Sequence, residues 1–177
     1  MSLHVLDIAE NSIEAGATAV SIAIREDTAE DRLTLTVRDN GRGLDRETAA
    51  RALDPFYTSK AGKRWGLGIP LLAQAARECD GDFRLESEAG RGASVRASFR
   101  LGHIDLKPLG DMGATMAALV CGHPEVRYSF QFERDGKAFA LDTGELRGLL
   151  EGVPLEHPAV LRYIKEEINE GIRRIKG

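Results

Sequence analysis

The spacing of hydrophobic and polar positions predicts an α/β protein, because helical and strand-like patterns alternate along the chain. Alternating apolar residues bounded by Gly, Asp and Asn predict strands, and apolar residues three or four apart predict helices. For the first part, the predicted elements are a helix at 3–15, strands at 19–24 and 33–37, a short helix at 45–53, an irregular polar loop at 54–66, a helix at 68–79, and strands at 82–87 and 93–101. Their order predicts a two-layer sandwich, a mixed sheet with helices on one face.

The pattern changes after residue 101. The segment 102–111 contains Pro and Gly and is typical of a linker. The elements predicted beyond it are a helix at 111–121, an antiparallel pair of strands at 126–133 and 137–142 that turns at 135–136, and helices at 143–150 and 158–175. We therefore divide the chain into a domain at 1–101 and a small α+β region at 102–177, which we interpret as a partner-binding or dimerisation element.

Composition narrows the function classes. The chain has 177 residues, of which 29% are charged and 42% hydrophobic, as in an ordinary soluble globular protein. The net charge of −4 gives no reason to expect nucleic acid as a partner. The sequence has neither a signal peptide nor an apolar run of the roughly 20 residues that a membrane-spanning helix needs. We expect a cytoplasmic protein in which Cys79 and Cys121 are reduced and buried.

The first predicted helix carries chemistry on its polar positions. Its apolar face is predicted to consist of Leu3, Leu6, Ala9 and Ile13. Asp7 and Asn11 lie four residues apart and so share another face. A carboxylate and an amide carbonyl in this arrangement suit Mg²⁺, which prefers oxygen ligands and shares its shell with phosphates. The alternative is an ordinary solvated helix face.

Two glycine-rich turns are the other candidate features. Asp39-Asn40-Gly41-Arg42-Gly43 follows a strand, where the Asp can accept a hydrogen bond from an exocyclic amine. The alternative is a simple turn stabilised by an Asx side chain. Gly66-Leu67-Gly68 begins a helix after the basic residues Lys60, Lys63 and Arg64, an arrangement that favours a phosphate group. A solvated basic loop before a helix is the alternative there.

Taken in order, these stretches resemble the GHKL superfamily of ATPase domains, which includes histidine kinases, DNA gyrase, heat-shock chaperones and mismatch-repair proteins. LDIAENSIEAGATAVSI resembles the N-box, and its ENSIEAGAT is similar to mismatch-repair proteins. DNGRGL resembles the G1 box, and DPFYTSKAGKRWGLGI the lid and G2 box of nitrogen-sensor-type kinases. GDFRLESEAGRGASVRASFRL is similar to the closing strands of kinase ATPase domains. The resemblance implies a Bergerat-type fold that binds ATP and Mg²⁺.

The resemblance also implies residue roles. Asn11 would bind the magnesium ion and Asp39 the adenine, with Ser94 supporting the Asp39 end of the pocket. Asp7 would be the catalytic base and Lys60 would reach the terminal phosphates. The glycine-turn residues would line the adenine pocket or face the phosphates: Gly41 and Gly43 the former, Gly66, Leu67 and Gly68 the latter.

The sequence departs from the family pattern in three places. Asp7 stands where hydrolysing members have Glu, and its side chain is one methylene shorter. The N-box lies at the start of the chain, so the fold is either trimmed or completed by another chain or by 102–177. Trp65 lies beside the phosphate loop, and we interpret it as a core residue.

None of the four histidines lies on a helix of the phosphoacceptor type, and we expect them to be surface or capping residues.

The region 102–177 resembles the C-terminal part of small stand-alone ATP-binding proteins encoded beside iron-only hydrogenases. Two segments carry the resemblance, HIDLKPLGDMGATMAAL and LDTGELRGLLEGVPLEHPAVLRYI. We therefore expect a separate, hydrogenase-related protein partner, and a homodimer remains open. Two functions stand. In the first, the protein would transfer the γ-phosphate of ATP to a partner as a histidine- or serine-kinase-like signalling enzyme, or act as a weak ATPase. In the second, it would be a nucleotide-gated interaction module, in which ATP orders the lid at 54–66 and changes partner binding with little or no turnover. A mismatch-repair-like dimer is less favoured, because a second domain is absent.

Overall fold

A computed structural model of the chain describes residues 1–52 and 68–177. Helices and strands there follow the predicted order. They are α1 (Ser2–Glu14), β1 (Ala19–Asp27), β2 (Arg32–Asp39), α2 (Arg46–Arg51), α3 (Gly68–Glu78), β3 (Phe83–Glu88), β4 (Gly92–Arg100), α4 (Met112–Gly122), β5 (Arg127–Arg134), β6 (Lys137–Asp142), α5 (Thr143–Leu149) and α6 (Pro158–Lys176).

The strands form one six-stranded sheet in the order β3-β4-β2-β1-β5-β6. β1 and β5 run parallel, and the other neighbours are antiparallel. The mixed α/β architecture predicted from the sequence is therefore confirmed. Strands from 1–101 and from 102–177 belong to the same sheet, so β5 and β6 extend the N-terminal strands at the free edge of β1.

One face of the sheet is apolar and carries the helices. Alternate residues of the central strands are buried on this face, among them Ile22 of β1, Leu35 of β2 and Phe130 of β5. Helices α1, α3, α4 and α6 add their apolar residues to the same core. The other face carries polar and small side chains, and we call it the open face. A sheet with one buried and one polar face explains the strict alternation of the strands.

The face that helix α1 buries overlaps the predicted one only in part. Ala9 is buried, and Leu6 and Ile13 pack partly buried against the core, but Leu3 is 74% exposed. The fully buried residues are Val5, Ile8, Ala9 and Ser12, which follow the spacing i, i+3, i+4 and i+7 of a helical stripe. The prediction was wrong for Leu3 because hydrophobicity alone selected an overlapping stripe, and it left out Ser12, which is buried through hydrogen bonds.

Helix α6 buries the face that its four-residue spacing predicts. Val160, Ile164, Ile168 and Ile172 are all buried. At its last turn, Lys176 Nζ lies 2.6 Å from Oε1 of Glu26 on β1, whose side chain is 4% exposed. The end of the C-terminal region is thus joined to a central strand of the sheet by an ion pair whose carboxylate is buried and whose ammonium group is exposed.

The two cysteines differ in their surroundings. Cys79 is buried, as predicted, but Cys121 is exposed, so the prediction for Cys121 was wrong. Cys121 lies in the last turn of α4, one residue after the buried Val120, and therefore on a side of the helix that faces solvent. Both are free thiols. Among the helices of the described ranges, none is long and apolar enough to span a membrane.

Candidate nucleotide site

The carboxylate of Asp39 lies where β2 ends, and within residues 1–52 and 68–177 three groups donate hydrogen bonds to it. Ser12 Oγ on α1 donates to Oδ2 at 2.8 Å. The amide of Gly41 donates to Oδ1 at 2.9 Å, and the amide of Ala93 on β4 donates to the same atom at 3.3 Å. The carboxylate is therefore held from the helix layer, from its own turn and from the neighbouring strand.

With these contacts made, the carboxylate can accept few further hydrogen bonds. Its two oxygens offer about four lone-pair directions, and three are in use. Asp39 is half-buried, so the carboxylate remains partly accessible. The arrangement fits one additional N–H donor, such as the exocyclic amine of a purine ring.

The turn that follows Asp39 is fixed to the end of α1. The Asn40 side chain accepts hydrogen bonds from the amides of Thr18 and Ala19 at 2.9 Å each. The amide of Arg42 donates to the carbonyl of Ala15 at 2.9 Å. These hydrogen bonds fix the position of the turn relative to α1, the helix that carries Asn11.

The glycines of the turn are required by close backbone approaches. A Cβ on Gly41 would lie 2.9 Å from the Ala15 carbonyl and 3.1 Å from Oδ1 of Asp39. Gly43 has φ +64°, and a Cβ there would lie 2.1 Å from the carbonyl of Glu88. Gly41 thus borders the Asp39 carboxylate, whereas Gly43 faces the β3–β4 hairpin, where its positive φ and the close backbone both exclude a side chain.

The predicted metal end of the site is assembled from two helices. Asp7 and Asn11 face the first residue of α3, since a Cβ on Gly68 would lie 3.1 Å from Cβ of Asp7 and 3.6 Å from Nδ2 of Asn11. Asp7 is exposed and Asn11 half-buried. The fold therefore places Gly68 beside Asp7 and Asn11, which lie about sixty positions earlier in the sequence. Because glycine has no side chain, Gly68 leaves room beside both of them.

The remaining predicted residues are placed as follows. Lys60, Gly66 and Leu67 lie outside the described residues, as do Trp65 and the polar loop 54–66. Ser94 pairs with Arg38 in the β2–β4 register, which turns its side chain to the open face, whereas Asp39 faces the helices. From β4, it is the amide of the preceding residue, Ala93, that contacts Asp39.

Two of the four histidines are capping residues, as predicted, whereas His4 lies half-buried within α1 and the side chain of His103 is only 14% exposed. His157 is the N-cap of α6, and its Nδ1 accepts a hydrogen bond from the amide of Ala159 at 3.3 Å. His123 is half-buried at the end of α4, with Nε2 3.6 Å from Oε2 of Glu10 on α1. Glu10 thus points towards the C-terminal region and away from Gly68, as its helical position predicts.

The N-terminal part of the chain matches the model of a protein family. Residues 3–103, more than half of the chain, match the family described as histidine kinase-, DNA gyrase B-, and HSP90-like ATPase. The chain belongs to this family. The GHKL resemblance is therefore confirmed, and membership of an ATPase family implies ATP as the ligand of the site.

Two of the relatives are a kinase and a mismatch-repair protein. The chain is 33% identical over 88 residues to sporulation kinase C of Bacillus subtilis (strain 168), an overlap of 50% of this chain and 20% of the kinase. It is 34% identical over 111 residues to the DNA mismatch repair protein MutL of Anaeromyxobacter sp. (strain K), which covers 55% of this chain and 17% of MutL. The chain thus spans a fifth or less of the length of these relatives.

A solved structure supports the fold. The crystal structure of the N-terminal domain of a DNA repair protein superposes with a TM-score of 0.54 at 14% identity. The match covers 79% of this chain and 51% of that one. It extends beyond residues 3–103, so part of the region 102–177 has a counterpart in that fold.

Proposed function

We propose that this protein binds ATP with magnesium and transfers the γ-phosphoryl group to a side chain of a separate protein. The observation that carries the proposal is the half-buried Asp39 carboxylate, which is held by three donors and retains capacity for one more. The adenine amine would supply that donor. A second copy of the protein as the partner remains compatible with this function.

The metal end of the proposal rests on Asn11. Its carbonyl oxygen is a hard ligand on a half-buried side chain beside the N-terminus of α3, where anions are favoured. A magnesium ion held there would neutralise charge on the phosphates. Phosphate oxygens and water would complete its shell.

Asp7 would serve as the base. It lies one helical turn before Asn11, and its Cβ faces Gly68 at the proposed phosphate end of the site. An exposed carboxylate at this position can accept the proton of an incoming hydroxyl or imidazole from a docked protein. Lys60, outside the described residues, would balance the charge of the terminal phosphate.

A nucleotide-gated interaction module is the second candidate, and the position of Asp7 favours it. An Asp side chain reaches one methylene less far than Glu, and the exposed Asp7 carboxylate is open to solvent. Binding without efficient turnover follows if the shorter side chain misplaces the nucleophile. Nucleotide would then act by favouring one arrangement of the protein over another.

Phosphotransfer separates the two functions. The purified chain is incubated with magnesium and γ-labelled ATP, together with proteins that it captures from an extract of its own host. Transfer to a captured protein, lost in Asp7→Asn and retained in the matched surface variant Asp105→Asn, supports the kinase. Capture that depends on ATP and persists in Asp7→Asn, with no label transferred, supports the gated module and contradicts the kinase.

A further inference from the structure

The sheet ends in two edge strands, β3 and β6, whose exposed residues differ. Those of β3 are charged, and such charges oppose pairing with a further strand: Arg84, Glu86 and Glu88. In β6 the charged residues, Lys137 and Asp142, lie at the two ends, and the exposed residues between them are Ala138 and Ala140. Within residues 137–142 neither a proline nor a bulge protects the edge.

The turn between β5 and β6 determines which backbone groups of β6 point away from β5. It is the two-residue turn Asp135-Gly136 with positive φ at both positions, so the flanking Arg134 and Lys137 exchange hydrogen bonds. Such pairs alternate along an antiparallel ladder, and the amides and carbonyls of Ala138 and Ala140 therefore point outwards. Among the described residues, none makes a hydrogen bond with these groups. Each alanine thus presents a free donor and a free acceptor at an exposed edge.

These outward groups are complementary to a second set of themselves. We propose that β6 is a dimerisation edge, to which a second copy of this chain adds its own β6 in antiparallel orientation. When Ala138 of one copy lies opposite Ala140 of the other, every outward amide meets an outward carbonyl. This register places the two Phe139 side chains opposite each other at the two-fold axis, and aromatic pairs of this kind stabilise neighbouring strands. The sheets of both copies then form one continuous sheet.

Helix α6 carries charges that suit the same two-fold arrangement. Gly171 lies directly against the ring of Phe139, and Cζ of Arg174 is 5.9 Å from the centre of that ring, so this side of α6 lies over β6. Asn169 is on the other side, where it contacts the N-cap of α4. Glu167 lies seven residues before Arg174 and therefore shares its side of the helix. In two copies related by the axis, Glu167 of each α6 faces towards Arg174 of the other, and opposite charges attract.

Pairing through β6 closes the assembly at two copies. Each β6 is the other's partner, and the edges that remain free are the charged β3 strands. The nucleotide site is not part of this interface, because Asp39 lies on β2 and the strands β1 and β5 separate it from β6. Loss of ATP binding and loss of dimerisation are therefore separable defects.

Sedimentation velocity of the full chain over a range of concentrations tests the proposal. We expect the wild type to show a monomer–dimer equilibrium. Ala138→Lys combined with Ala140→Lys places like charges opposite each other across the axis, and it should weaken dimerisation at least about tenfold. Glu86→Lys introduces a lysine on the other edge strand as the matched control. It should dimerise as the wild type does, and so should Asp39→Asn.

A charge swap tests the register and shows that the variants are folded. Ala138→Glu combined with Ala140→Glu should also weaken self-association, and an equimolar mixture of the lysine and glutamate variants should form a heterodimer. Ala140→Pro removes one outward amide without disturbing the pairing with β5. It should weaken the dimer and leave the circular dichroism spectrum unchanged.

Four results would overturn the proposal. They are a wild type that is monomeric at every concentration, a lysine variant that dimerises as the wild type does, a mixture of the charge variants that does not associate, and a dimer that Glu86→Lys dissociates. A monomeric wild type that binds an extended peptide of another protein along β6 belongs to the first of these, because it assigns the edge to a different partner.

Discussion

The hydroxyl of Ser12 donates a hydrogen bond of 2.8 Å to Oδ2 of Asp39, so helix α1 contacts both ends of the candidate nucleotide site. Ser12 Oγ also lies 3.2 Å from the carbonyl of Ile8 on its own helix. Because a hydroxyl has one proton and a bond to a carboxylate is the stronger, the interaction with Asp39 is favoured. Ser12 directly follows Asn11, and one helical turn therefore joins the adenine end of the site to the metal end.

Substitution of Ser12 by alanine should weaken nucleotide binding. It removes one of the three donors that orient the Asp39 carboxylate, and hydrogen bonds to charged groups contribute about 1.5–3 kcal/mol. We expect a loss of roughly tenfold or more in ATP affinity, measured by isothermal titration calorimetry.

The stability of Ser12→Ala should change less than its affinity, because alanine is the better helix former. Ser21→Ala, which alters an exposed serine of the open face, is the matched control and should bind ATP as the wild type does. Equal ATP affinities for Ser12→Ala and the wild type would show that the Ser12–Asp39 contact does not position the carboxylate.

Substitution of Lys176 by methionine should destabilise the fold. It leaves the Glu26 carboxylate, 4% exposed, with the longer contact of 3.7 Å to Arg134 as its one ion pair in the described part of the chain. A buried charged group that loses a partner costs about 1–3 kcal/mol, which equilibrium unfolding in urea can measure. Lys137→Met, on the exposed side of the edge strand, is the control and should be close to neutral.

A double-mutant cycle isolates this ion pair. Glu26→Gln should cost less free energy of unfolding in the Lys176→Met background than in the wild type, because the attraction to lysine is already absent. Additive losses would mean that the last turn of α6 does not stabilise β1 through Glu26, and that the apolar face of α6 alone holds the C-terminal region in place.

The cap of helix α4 should make stability depend on pH. Hydrogen bonds from the Asn169 side chain and the Ala114 amide lower the pKa of Asp111. A pKa lower in the folded than in the unfolded chain stabilises the fold above the ordinary carboxyl pKa. That contribution is lost as the pH falls through the lowered value.

Asp111→Ala should therefore lower the Tm at neutral pH, by roughly 2–4 °C for a cap that contributes about 1 kcal/mol. The difference from the wild type should shrink in acid, where both proteins lack the ionised cap. Thermal unfolding followed by circular dichroism across the acid range measures this. A difference that stays constant with pH would show that the charge of Asp111 contributes nothing.

The sequence is most informative where spacing reflects local geometry. The four-residue spacing in α6 and the Asp135-Gly136 turn between β5 and β6 depend on neighbouring residues, and both were predicted correctly. Leu3 was misplaced because two stripes overlap on α1, and tertiary packing selects between them. The parallel pairing of β5 with β1 joins segments about a hundred residues apart, so no local pattern contains it.

The candidate site also contains residues that a local sequence pattern indicates and contacts that depend on tertiary packing. Asp39, Asn11 and Gly68 could be proposed from the sequence because each lies in a short pattern with its own chemistry. The support of Asp39 was assigned to Ser94, but strand register places the amide of Ala93 there. Every residue except proline has a backbone amide, so the amino-acid type at position 93 cannot show that its amide donates to Asp39. Ser12 carried a weak indication, since a polar residue on the buried side of an amphipathic helix needs a hydrogen-bond partner.

Calorimetric titration of Mg-ATP into the wild type, Asp39→Asn and Asp105→Asn tests the central claim most directly. Asparagine keeps the shape of Asp39 but removes its charge and replaces one acceptor with a donor. The account predicts saturable binding to the wild type and to Asp105→Asn, and binding weakened at least about a hundredfold, or 2.7 kcal/mol, in Asp39→Asn. Binding to Asp39→Asn with wild-type affinity, or no heat of binding to the wild type, would contradict it.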